Sequence, residues 1–235
     1  MNGVLNSVAW LILVVSFTVS ALNNNTPVAD LPLIEVQATA PQRDEFAILW
    51  SGDGGWVEID HAIASGLAAA GIKTVGLNAL QYFWTARTPD QCAADLERTI
   101  KHYMAAWDKK HVLLIGYSLG ADALPFAVSR LDSARRQDIE LLCLTGISPW
   151  AEFQFRVTDW FGGGHSKNAL PVLPEIQKLT GMPMVYCYGA DEKENLAGAV
   201  DTAAVTVVKL KGGHHFDNRF DLIVKAILDK ISPAH

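Results

Sequence analysis

Nine residues, Val112-Leu113-Leu114-Ile115-Gly116-Tyr117-Ser118-Leu119-Gly120, restrict this chain more than any other stretch. An apolar run stops at a glycine, presents a serine and re-enters an apolar, alanine-rich segment, the pattern of a buried strand, a very tight turn and a helix. Ser118 stands at the apex of this G-x-S-x-G elbow. Gly116 and Gly120 lack the Cβ that would collide where strand and helix backbones nearly touch, so the turn can be sharp enough to expose the hydroxyl. Ser118 is therefore expected to project from the carboxyl edge of a sheet. A serine that merely capped a helix would need no second glycine, which weakens the first turn.

From Glu45 onward, strand-like and helix-like segments alternate, which argues for a mostly parallel sheet with helices on both faces. Core strands are expected at Phe46–Trp50, Ile72–Leu77, the elbow run, Ile139–Thr145, Met184–Tyr188 and Val205–Lys209. Helices are expected at Ile59–Ala70, closing at Gly71, at Pro89–Trp107 after the start Thr88-Pro89-Asp90, after Ser118, and at Phe220–Ile231. An insertion between Gly146 and Met182 carries Trp150, Phe153, Phe155, Trp160 and Phe161; these aromatics either face a membrane interface beside the active edge or fill core beneath a loop. With 235 residues, half of them apolar, one domain spanning 43–235 accounts for the pattern.

Upstream, Val8 to Leu22 is an unbroken apolar or small run followed by Asn23-Asn24-Asn25-Thr26-Pro27. It is only about fifteen residues, short of the roughly twenty of a membrane span, and Val19-Ser20-Ala21 suits cleavage after Ala21. Residues 1–21 therefore read as a signal peptide and the mature protein as periplasmic; because no Lys or Arg precedes the run, an inner-membrane anchor remains the alternative. Residues 22–42 read as a linker with one possible edge strand at Leu33–Ala38. The net charge of −6 offers no basic footprint for nucleic acid. Cys92, Cys143 and Cys187 do not suggest a disulfide scaffold, and neither C-x-x-C nor H-E-x-x-H is present, so no metal or other cofactor is expected.

A serine hydroxyl becomes nucleophilic when a base takes its proton, and that base is held in the right tautomer by a third group. In strand–helix folds of this type the chain order is serine, acid, histidine. Asp191 and Glu192 follow the strand ending Tyr186-Cys187-Tyr188-Gly189, and Gly212-Gly213-His214-His215-Phe216 follows the last strand. The expected triad is Ser118, His214 and Asp191, with Glu192 the alternative acid. The oxyanion donors are expected to be the backbone N–H of Leu119 and that of Asp53 or Gly54, in the loop Ser51-Gly52-Asp53-Gly54-Gly55-Trp56. Substrate contacts are expected from Asp53, Trp56, Tyr82, Trp84, Arg87, Tyr117 and Asp122. Arg87 is suited to bidentate binding of a phosphate or to a surface ion pair. Asp53 and Asp122 at the active edge suit a cationic part of the substrate, Asp122 being equally accounted for by its place in the first turn of a helix.

From about Phe46 to Leu228 the chain resembles the bacterial VirJ virulence-protein family, which also includes the carboxy-terminal domain of AcvB. The resemblance rests on Ser51–Trp56, on Tyr82-Phe83-Trp84 with Arg87-Thr88-Pro89, on Gly116–Asp122 with Leu124-Pro125, and on Gly213-His214-His215-Phe216-Asp217. It implies an exported α/β-hydrolase fold. The AcvB branch implies a serine hydrolase that cleaves lysyl-phosphatidylglycerol, an aminoacylated phospholipid of the inner membrane. VirJ-type members are linked to secretion of virulence factors, which implies a periplasmic adaptor for secretion-system proteins as the competing role.

Overall fold

The computed structural model describes residues 27–155, 165–200, 203 and 205–231. The chain begins with β1 (Leu33–Val36), β2 (Glu45–Trp50), α1 (Glu58–Ala69), β3 (Lys73–Leu77), α2 (Ala79–Tyr82) and α3 (Pro89–Trp107). The centre is β4 (His111–Tyr117), α4 (Leu119–Ser129), α5 (Ser133–Gln137) and β5 (Ile139–Thr145). There follow β6 (Trp150–Ala151), β7 (Leu170–Pro171), α6 (Leu173–Gln177), β8 (Met184–Gly189), β9 (Val205–Leu210) and α7 (Phe220–Leu228). The main sheet has seven strands in the order β1-β3-β2-β4-β5-β8-β9, all parallel except β1, while β6 and β7 form a separate antiparallel pair.

The central strands are continuous apolar runs because both faces are covered. Phe46, Ile48, Val112 and Leu114 point into one core with α3 and α4; Ala47, Leu49, Leu113 and Ile115 point into the other with α1 and α7. Local signals set the helix ends. The Thr88 hydroxyl accepts from the Gln91 N–H at 3.2 Å while the Gln91 side chain accepts from the Thr88 N–H at 2.9 Å, a reciprocal cap at the start of α3. Gly71, at φ +86°, ends the α1 turn where an added Cβ would run into the Pro41 carbonyl.

One boundary differs from the sequence reading. Residues 27–36 are part of the domain rather than a linker: Val28 and Leu31 are buried in the core, and β1 pairs with β3. Arg98 of α3 fastens the segment, donating to the Pro27 carbonyl at 2.7 Å and to both Asp30 carboxylate oxygens at 2.5 and 2.7 Å. Residues 1–21, expected to be a signal peptide, lie outside the described residues, as do Trp160 and Phe161. No helix among the described residues is long and apolar enough to cross a membrane. All three cysteines are buried free thiols.

Candidate active site

The elbow is built as its glycines require. A Cβ on Gly116 would stand 2.6 Å from the Ala121 Cα, and one on Gly120 would drive into the Trp50 and Ser51 carbonyls. The Gly120 N–H instead donates to the Ser51 carbonyl at 3.1 Å, locking the β2 loop against the start of α4. Ser118 holds φ +52° and ψ −121°, a conformation L-residues adopt at a cost of about 1–3 kcal/mol and keep only where the surroundings impose it. It lies where connections leave β2 and β4 toward opposite sides of the sheet, the place where parallel α/β sheets bind ligands.

Three side chains from three loops meet there. Ser118 Oγ is 2.9 Å from His214 Nε2, and His214 Nδ1 is 2.6 Å from Glu192 Oε1. The second Glu192 oxygen accepts from the Gly189 N–H at 2.7 Å, so the carboxylate is aimed before it meets the imidazole. Gly146, at φ +63°, leaves the room the ring needs: a Cβ there would be 2.9 Å from His214 Cε1. The hydrogen bond to Glu192 raises the His214 pKa above its usual value, against the lowering effect of burial.

Asp191, the expected acid, is not the partner of His214. Its backbone N–H bonds the Gly212 carbonyl at 2.9 Å, and its side chain is exposed. The turn closed by the Glu192 N–H on the Gly189 carbonyl, 3.1 Å, carries the next residue back toward the histidine loop, and the extra methylene of glutamate spans the remaining gap.

Leu119 and Asp53 line a cavity of about 360 Å³ in front of Ser118, with Glu152, Glu194, Trp150 and Phe155 among its other walls. Gly52 brings the β2 loop against the serine: an added Cβ would lie 3.3 Å from the Ser118 Cβ. Leu119 opens α4, where the first N–H groups of a helix have no partner within it. Backbone donors and a hydroxyl held by an imidazole can together carry out acyl transfer. Among the described residues no group of three or more His, Cys, Asp or Glu is arranged to hold a metal ion.

Several residues expected to contact substrate do other work. Tyr82 is 1 % exposed, and its hydroxyl donates to Asp95 at 2.6 Å. Trp56 packs over Gly76 and donates to His61 at 3.2 Å. Tyr117 is buried beside Gly52, with its hydroxyl 3.2 Å from His215 Nδ1, so it supports the histidine loop from behind. Arg87 stacks on the Tyr82 ring, 4.6 Å from guanidinium carbon to ring centre, and lines a neighbouring cleft rather than the serine cavity. Asp122 reaches the cavity wall, but its carboxylate oxygens take the Ser148 N–H and hydroxyl, each at 2.7 Å; burial pushes its carboxyl up to about 7. Trp84 stays exposed and stacks on Phe155 at 5.8 Å.

Gly146, Glu152 and Glu194 were not singled out from the sequence. A glycine directly after β5 was the available signal for the first. The two glutamates sit in irregular segments with no pattern to mark them. Of the insertion aromatics among the described residues, Phe153 and Phe155 are buried and fill core, whereas Trp150 is exposed and stacks on His165 at 4.3 Å.

This architecture is that of the α/β hydrolases, and solved structures share it. Est1E from Butyrivibrio proteoclasticus, described with ferulic acid bound, superposes with a TM-score of 0.58 at 14 % identity, covering 86 % of this chain and 96 % of that one. A thioesterase domain from the curacin biosynthetic pathway gives 0.57 at 15 % identity over 83 % and 94 % of the two chains. An α/β serine hydrolase without a lid from Xanthomonas campestris gives 0.55 at 15 % identity over 92 % and 97 %. The family model for the bacterial virulence protein VirJ matches residues 44–235, and the chain belongs to that family. No curated protein matches the sequence.

Proposed function

We propose that the protein is an exported serine esterase whose substrate is the aminoacyl ester of lysyl-phosphatidylglycerol. The observation that carries the reading is the hydrogen-bonded series Ser118–His214–Glu192 opening into a cavity walled by Asp53, Glu152 and Glu194, with no lysine or arginine among its described lining residues. In this mechanism Ser118 Oγ attacks the ester carbonyl as its proton passes to His214 Nε2. Glu192 holds Nδ1–H and stabilises the imidazolium. The Leu119 and Asp53 N–H groups take the oxyanion charge, and His214 returns the proton to the departing glycerol oxygen. Water, activated by the same histidine, then releases the acyl group from Ser118. The Asp53 and Glu194 carboxylates favour an ammonium-bearing acyl chain by about 1.5–3 kcal/mol for a charge-assisted hydrogen bond, while Glu152 accepts from the Ser166 N–H and hydroxyl. The apolar run Val8–Leu22 supports export to the periplasm, with the membrane surface supplying the substrate.

Two assays test this. Ser118→Ala and His214→Ala should each lower hydrolysis of a small activated ester by several powers of ten, with about the unmodified melting temperature, and His215→Ala should be much milder. Lysyl-phosphatidylglycerol should be cleaved faster than its alanyl counterpart, and Asp53→Asn should narrow that preference about tenfold. Equal rates on the two lipids in the unmodified protein would refute the substrate assignment.

A further inference from the structure

Among the described residues, the large apolar side chains left in water are confined to one edge. These are Val57, Trp84, Trp150 and Leu170, and Trp84 is 64 % exposed. Val57 follows the loop after β2, Trp84 follows the turn after β3, and Trp150 follows β5, each at a strand's carboxyl end; Leu170 lies beside Trp150 through the β6–β7 pairing of Ala151 with Leu170. These are the same strand ends that present Ser118. Trp150 forms a wall of the cavity, and Trp84 stacks on the cavity residue Phe155.

We infer that this edge docks on the surface of a lipid bilayer, with Val57, Trp84, Trp150 and Leu170 entering the headgroup–acyl boundary and the cavity facing the lipid. Tryptophan suits that boundary because its ring is apolar and its N–H is polar. The way the chain enters the domain points to the same side. Because β1 is antiparallel, its first residue, Leu33, pairs with Leu77 at the carboxyl end of β3, and the Pro32 carbonyl accepts from the Asn78 N–H at 3.0 Å. The described chain thus enters the sheet from the active edge, the side on which a retained Val8–Leu22 run would tether the domain. Charge does not supply the attraction: Arg87, Lys193 and Lys211 are interspersed there with Asp53, Asp191 and Glu194. Binding is apolar and tolerates salt. The proposal deepens the lipid-ester reading by assigning the surface that approaches the lipid, and its test does not depend on turnover.

All three native cysteines are buried, so an environment-sensitive thiol dye can be placed on full-length Val57→Cys or, at the opposite edge, Lys110→Cys. With phosphatidylethanolamine/phosphatidylglycerol vesicles, the dye at position 57 should shift to the blue and become shielded from an aqueous quencher, while the dye at 110 should not. The shift should survive about 1 M salt, where the screening length is about 3 Å. Adding Trp84→Ser and Trp150→Ser should raise the lipid concentration for half the response about tenfold or more. Leu170→Ser, outside the wall of the serine cavity, should also raise it, with hydrolysis of a soluble ester unchanged. Equal responses at 57 and 110, no response at 57, or loss of the shift in salt would overturn the proposal. A soluble ester left uncleaved by a protein that docks would refute the esterase reading alone.

Discussion

In the proposed mechanism Glu192 carries two loads, orienting His214 and setting the pH at which it can act as a base. Its hydrogen bond raises the histidine pKa, and only the neutral imidazole accepts the Ser118 proton, so activity rises as pH increases through that pKa. Glu192→Gln removes the charge that favours the imidazolium, so the acid limb of the kcat/KM profile should move to lower pH. The plateau should also fall by about 10²–10⁴, because an amide can present a donor to Nδ1 and favour the wrong tautomer. Asp191→Asn should change neither. If Asp191→Asn moves the limb instead, Glu192 is not the orienting acid. Sequence located both carboxylates after β8 and left the choice to side-chain length, which a backbone turn decides. Tyr82 and Trp56 were illegible for a related reason: an aromatic beside an edge loop can face the cavity or the core, and neither residue type nor spacing distinguishes the two.

Helix α1 shows the same limits one level up. Its span was legible from apolar spacing and Gly71, and the long runs of the inner strands were equally plain, because burial on both faces leaves no polar interruptions. The edge strand β1 was legible only as a possibility, since its polar, proline-flanked surroundings resemble a linker. Hidden in the first turn of α1 is Asp60, fully buried, with one carboxylate oxygen accepting from the Val57 N–H at 2.9 Å and the other without a hydrogen-bond partner. Burial pushes its pKa up to about 7. An unfolded aspartate releases its proton near pH 3.9, so between about pH 4 and pH 7 the native protein binds a proton that the unfolded chain has lost. Stability from this group is fully present below about pH 4 and is lost as pH rises through about 7, by up to roughly 1.4 kcal/mol per unit. Asp60→Asn keeps an acceptor for Val57 and abolishes the titration. Thermal melts from pH 5 to 8 should show the variant losing less stability than the native protein, with the gap in its favour widening by about 1–3 kcal/mol. Parallel melting curves would rule out this titration.

At the scale of the molecule, the three site residues come from crossovers far apart in the chain. Ser118 follows β4, Glu192 follows β8 and His214 follows β9, at the far side of the sheet, 96 residues beyond the serine. Contacts of that separation form late, because chain must be closed into large loops before they stabilise anything. Recovery of ester hydrolysis on refolding should therefore coincide with the slowest phase seen by tryptophan fluorescence, and activity that appeared in an earlier phase would contradict this order. The strand order thus acts as a clock. A chain still being synthesised is chemically silent even after its nucleophile has emerged, and on the proposed export route it stays so while it is translocated amino end first. Fragments ending before Val205 lack His214 and should be inert toward a small activated ester, however much of the fold they retain.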